Sequence, residues 1–396
     1  FFHIAHKSLR DAFTRCSCNP YESAVNLVFA EPNSMIYQTY KHNRNYGCRI
    51  SQPVIEGHRC VVLENEKLRV SIIADKGTDI YEFLYKPRDV DFMWRSWVGL
   101  RERAHLVPTS SRAEAGAHLD YYEGGWQELF PNCGNLSLHQ GAEIGQHGEV
   151  LLLPWSYVIT KDEPNEIEVR FEVRTVRTPF HLVKTISLLG DQAILRIHER
   201  ITNESGQDVN FTWGHHPAFG WPFIDESCRV HLPACRIHTS AEFTPTTSRL
   251  APDQTTTWPI AKAADGSEVD LSLIPRPEIG ASDMAFLEEI TDGWFAVTNS
   301  RLDVGFALRY PAEVFKHLWY WQVYRGGRDY PWWSATYNIA LEPCATLPVL
   351  SHAAARGDAL SLAAGESIEI ELNASAFEGI TRVSGVCSDG RVMGDE

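Results

Sequence analysis

The chain has 396 residues, with 36 Lys and Arg against 51 Asp and Glu and a formal net charge of −15. No basic run stands out, which argues against a nucleic-acid partner. Hydrophobic residues make up 44% and charged residues 22%, the balance of a globular protein with a sizeable core, and no stretch approaches the roughly 20 apolar residues needed to cross a bilayer.

In chain order, residues 1–35 open with FFHIAHKSLR and show no hydrophobic periodicity. They carry basic residues but no sustained apolar run, so they read as an N-terminal extension rather than a secretory signal, followed by a single domain over 36–396. The nine cysteines are odd in number and scattered, without a C-x-x-C pair. They read as free thiols in a reducing, cytoplasmic setting.

From about residue 48, short β-branched runs alternate with turn signals, as in RCVVLENEKLRVSIIADKGTDIYEFLYKP, a strand pattern. YYEGGWQELFPNCGN at 121–135 follows. Gly124 and Gly125 permit tight backbone there, and Trp126, Gln127 and Glu128 set a ring, an amide and a carboxylate side by side. In GQHGEVLLLPW at 145–155, His147 precedes a glycine at an expected strand entrance. Further strands are expected at EVLLLPWSYVIT, NEIEVRFEVRT, FHLVKTISLL, AILRIHERITN and VNFTWG. In WGHHPAFG at 213–220 a strand is expected to end just before the adjacent His215 and His216.

The Thr-, Pro- and Ala-rich stretch 244–282 reads as a surface loop. Strands resume at WFAVTN, GFALRYP, FKHLWYWQVY, NIALEP and SIEIELNA. HLWYWQVYRGGRDYPWW at 317–333 either lines a cleft, meets a partner or packs its rings under a sheet. In NIALEPCATLP at 338–348 an apolar run leads into Glu342. A carboxylate so placed is partly desolvated, which makes it a better base. No long amphipathic helix is evident, and the strand spacing fits an all-β antiparallel sandwich.

Paired imidazoles suit proton transfer near neutrality. Histidines and a carboxylate also suit zinc or manganese, and His147, His215, His216 and Glu128 form one candidate set. The 12 Trp, 14 Tyr and 18 Phe suit the apolar faces of sugars or an ordinary core. A sugar-transforming enzyme, including an isomerase, lyase or hydrolase of a modified sugar with or without a divalent metal, and a non-catalytic carbohydrate-binding protein therefore both remain open on the residues alone.

Taken together, His147-Gly148, His216-Pro217-Ala218-Phe219, Asp283-Met284-Ala285-Phe286 and Leu341-Glu342-Pro343 resemble, in order and spacing, the aldose 1-epimerase (galactose mutarotase-like) superfamily. The resemblance covers about residues 45–375. It implies a β-supersandwich and an acid–base site without metal or cofactor, acting on a small sugar. It casts His216 as the acid that protonates the pyranose ring oxygen and Glu342 as the base that takes the anomeric proton. His147 would steady the ring oxygen or a neighbouring hydroxyl, and Asp283 would hold further hydroxyls. His215 would support His216. Glu123 stands where an arginine is expected, which argues against a sugar phosphate. Trp126, Gln127 and Glu128, which have no counterpart in the common mutarotases, fall where hydroxyls would be read.

Overall fold

The computed structural model describes residues 44–102 and 117–394; the expected extension at 1–35 lies outside them. The strands follow from alternation. Along Phe180–Leu189 every second side chain is buried, and Ile194–Asn203 behaves likewise, so each strand offers one apolar face to the interior. These two pair antiparallel, with Phe180 opposite Asn203 and Leu188 opposite Leu195.

They sit in an eight-stranded sheet ordered 156–163, 166–174, 180–189, 194–203, 367–377, 304–309, 294–299, 228–231. A fifteen-stranded sheet faces it. Its path runs 49–51, 58–64, 68–73, 79–85, 126–129, 214–220, 337–344, 317–324, 281–288, 236–238, 255–257, 260–262, 268–270. All of the pairings along both paths are antiparallel, and the two inner faces share one core. Phe306 of the smaller sheet meets Phe83 edge-on at 5.3 Å and Phe219 at 4.9 Å, both from the larger sheet. Truncating such a ring typically costs about 3–5 kcal/mol.

The strands Trp126–Leu129, Gly214–Gly220 and Tyr337–Cys344 depart from alternation, because nearly every residue in them is buried. Their inner face meets the core and their outer face is covered as well, as in a strand buried on both sides. This is where the large sheet carries its cavity.

Three expectations are corrected. His215 and His216 lie inside a strand rather than beyond its end. The stretch 244–282 holds three short strands that extend the large sheet. Val150–Leu152 forms a 3-10 turn, and the strand begins only at Ser156. Among the described residues no helix is long and apolar enough to cross a membrane.

Candidate functional site

The cavity, of about 240 Å³, lies on the outer face of the large sheet, near the small end of the roughly 300–1,000 Å³ usual for ligand pockets. Strand pairing sets its floor. Gly214 pairs with Cys344 and Ala218 with Ala340, so His216 stands opposite Glu342. The next strand sets Trp319 opposite Glu342 and Trp321 opposite Ala340, and the strand after it adds Met284 opposite Trp321. Paired residues share a face. His216, Glu342, Trp319, Trp321 and Met284 therefore point to one side, and all five line the cavity.

The nearest polar contacts join side chains from distant parts of the chain. His216 Nε2 lies 3.3 Å from Glu342 Oε1, and the Tyr122 hydroxyl lies 3.1 Å from His216 Nδ1. Glu342 Oε2 is buried without a partner. His147 and His118 complete the polar wall, with ring centres 5.2 Å apart, and His147 lies 5.6 Å from His216.

Backbone geometry aims His147. It has φ +61°, and Gly148 follows at φ +89°. A Cβ on Gly148 would fall 2.1 Å from the Phe130 carbonyl oxygen, so only glycine lets the turn pack so closely. The Gly134 N–H donates to His147 Nδ1 at 3.3 Å, which places the proton of the neutral ring on Nε2. A non-glycine residue in left-handed backbone is strained, and such strain gathers at working sites.

Burial sets the charges. It pushes the Glu342 carboxyl well above the ordinary carboxylate range. It brings His216 down to about 4 and holds His147 and His118 well below the usual imidazole value. Desolvation disfavours the charged form in each case. Burial thus favours the neutral form of each of these groups, and Glu342 and His216 face each other as an acid–base pair.

The remaining expected site residues do not line the cavity, and strand alternation explains most of them. Asp283 precedes Met284 and so faces the other side of the sheet. Ser248 Oγ and Arg249 N donate to its Oδ1 at 3.0 and 2.7 Å, and Arg249 Nε donates to its Oδ2 at 2.6 Å. Asp283, expected to hold hydroxyls, does not line the cavity, and its carboxylate anchors the 248–249 segment.

His215 and Glu128 are paired opposite each other and face inward. His215 Nδ1 accepts the Trp126 indole N–H at 3.2 Å, and its Nε2 lies 3.1 Å from Glu199. Lys184 Nζ lies 2.7 Å from Glu128 and 3.2 Å from Glu199. Gln127 shares the side of His216, but its amide donates to the Gly124 carbonyl at 2.6 Å. Trp126, Gln127, Glu128 and His215 thus build a buried polar support rather than a wall for substrate. His215 and Glu128 cannot converge on one ion with His147 and His216 across the sheet, and no group of three or more metal-ligating side chains is found among the described residues.

The sequence reading missed His118 and Tyr122, which stand just before the double glycine. The signal lay in the glycines. A Cβ on Gly124 would fall 2.2 Å from the Trp94 carbonyl oxygen, and one on Gly125 2.6 Å from that of Ile80. This close approach draws the preceding segment over the sheet. The tryptophan-rich stretch does two jobs: Trp319, Trp321 and Trp332 line the cavity, while Tyr320 and Tyr324 are buried.

Solved structures share this architecture. A protein of Klebsiella pneumoniae subsp. pneumoniae MGH 78578, provisionally named an aldose 1-epimerase, superposes with a TM-score of 0.67 at 14% identity, over 85% of each chain. A galactose mutarotase-like protein of Clostridium acetobutylicum gives 0.56 at 14% identity, over 84% of this chain and 99% of that one. The Slr1438 protein of Synechocystis sp. PCC 6803 gives 0.56 at 20% identity, over 80% of this chain and 95% of that one. At such identities the likeness is one of fold: the chain has the galactose mutarotase-like sandwich. No curated protein matches the sequence. The model of a domain of unknown function, DUF4432, matches residues 55–376, and with that span covering most of the chain and the whole of the cavity floor, the protein belongs to the DUF4432 family.

Proposed function

We propose that this protein is a sugar epimerase that interconverts the anomers of a small free aldose by acid–base ring opening and closure, with His216 and Glu342 as the catalytic pair. The observation that carries this reading is the 3.3 Å approach of His216 Nε2 to Glu342 Oε1, at the floor of a cavity whose other polar groups are uncharged. Opening a cyclic hemiacetal takes one proton from the anomeric hydroxyl and adds one to the ring oxygen, which is work for one base and one acid.

At rest the pair is neutral. Transfer of its single proton from Glu342 to His216 gives a carboxylate and an imidazolium without changing the net charge of the site. The carboxylate then accepts the anomeric proton while His216 protonates the ring oxygen. The Tyr122 oxygen accepts the Nδ1–H of the imidazolium. The C1–O5 bond breaks, C1–C2 rotates, and the reverse transfers close the other anomer. The Nε2–H of His147 is a fixed donor for the ring oxygen or a neighbouring hydroxyl.

The test is anomer interconversion of free sugars followed by polarimetry and NMR exchange. Glu342→Gln keeps size and hydrogen bonding but cannot take a proton, and His216→Asn removes the other partner. Each is expected to lower kcat by about 10²–10⁴-fold with KM little changed. A Glu342→Gln protein as active as the parent would end this reading.

A further inference from the structure

The cavity wall is divided. Its polar groups, His118, Tyr122, Asn135, Gln146, His147 and His216, come from segment 118–147 and strand 214–220, with Glu342 at their border. Away from them lie Met284, Phe243 and Pro245, with Trp319 and Trp321 between; Leu119, Trp332 and Pro348, which packs on Gly134, are apolar members beside the polar groups. The Trp319 indole N–H is committed to the Thr346 carbonyl at 3.1 Å. The thioether, phenyl and pyrrolidine side chains of Met284, Phe243 and Pro245 offer no hydrogen-bond donor and at best a weak acceptor. Among the described residues no Lys, Arg or Asp lines the cavity, so none of them would balance the charge of a phosphate or carboxylate placed there. A hydroxyl pressed against the apolar side would lose water and gain nothing.

On the polar side two buried atoms have no hydrogen-bond partner, His118 Nδ1 and Glu342 Oε2. The His118 ring lies 4.8 Å from that of Tyr122. His147 Nε2–H and the other polar groups of this side face one edge of a sugar, while the far edge meets the side chains of Met284, Phe243 and Pro245.

Resting on the anomer-interconversion reading, we infer that the cavity selects a deoxy sugar, an uncharged aldose that turns a methyl group or bare ring carbon to the Met284–Phe243–Pro245 side. An apolar pocket discriminates against an added hydroxyl by up to about 10²-fold, which bounds the effect.

The test uses two series that differ only at C6: D-fucose, D-galactose, D-galacturonate and galactose 6-phosphate, and D-quinovose, D-glucose, D-glucuronate and glucose 6-phosphate. Interconversion kinetics and the ligand-induced rise in Tm are measured for each. In at least one series the deoxy sugar is expected to exceed its parent hexose in kcat/KM by about 10–100-fold, with the charged members below both. Met284→Gln, which places an amide on the apolar side, is expected to narrow the deoxy preference. Interconversion with hexoses or charged sugars equal to or better than the deoxy members overturns the inference and leaves the epimerase reading standing. Deoxy sugars that raise Tm most but are not interconverted support the ligand class and overturn the activity. If no sugar is interconverted or raises Tm, both fall.

Discussion

The Glu342 carboxyl is stabilised for chemistry at a cost to the fold. Burial raises its pKa well above 4.5, so between pH 4.5 and that higher value the folded protein keeps a proton that the unfolded chain has lost. Stability then falls as pH rises, by up to about 1.4 kcal/mol per pH unit for one group. Glu342→Gln removes this dependence. The variant is expected to be more stable than the parent at pH 7–8, with the advantage shrinking towards pH 4.5, as thermal melts across that range will show. A variant equally or less stable at pH 8 would mean that Glu342 is ionised in the folded protein. The same change lowers kcat, so one residue sets activity against stability.

Strand alternation decides which of two neighbours meets the ligand. His216 and Met284 face the cavity, while His215 and Asp283 face away. The strands themselves were legible in the sequence, because FHLVKTISLL and AILRIHERITN alternate visibly where one face is wet. The facing of the site residues was not, because Gly214–Gly220 and Tyr337–Cys344 are buried on both sides and no polar–apolar rhythm marks either face. The order of His147, His216 and Glu342 along the chain was readable, whereas His118 and Tyr122 depend on how the double glycine folds back. A structural role for Asp283 has its own signature. Its side chain is fully buried against a mostly buried Arg249, and removing one partner of such a pair typically costs about 3–5 kcal/mol. Asp283→Ala is expected to lower stability on that scale while kcat and KM of the folded fraction stay close to the parent's. A large rise in KM with unchanged stability would instead return Asp283 to the substrate.

At the scale of the whole molecule, the large sheet serves as both core wall and cavity floor, so ionisable groups are buried on both of its faces. Desolvation brings His216 and His317 of the large sheet, and His231 of the smaller one, down to about 4. The unfolded chain binds protons at these histidines from about pH 6.5 downward and the folded protein does not, so their contribution to stability falls as pH drops from 6.5 towards 4. Burial acts oppositely on Glu342, Asp79 and Glu128, whose pKa values it raises. Their contribution is fully present below the unfolded values, 3.8 for Asp79 and 4.5 for the two glutamates, and is lost as pH rises through their folded values. Between about pH 4.5 and 6.5 the two sets oppose each other. Below that window the histidine loss dominates among these groups, and above it the histidines add nothing, so the only change left is loss at a carboxyl that still holds its proton. Maximum stability is therefore expected between about pH 4.5 and 6.5, on the acid side of neutrality, with Tm declining on both flanks. Calorimetry from pH 4 to 9 at constant ionic strength measures this directly. A Tm that climbs steadily from pH 6 to 8.5 would show that the buried carboxyls are ionised in the fold, and the neutral resting state assigned to the His216–Glu342 pair would fall with that result.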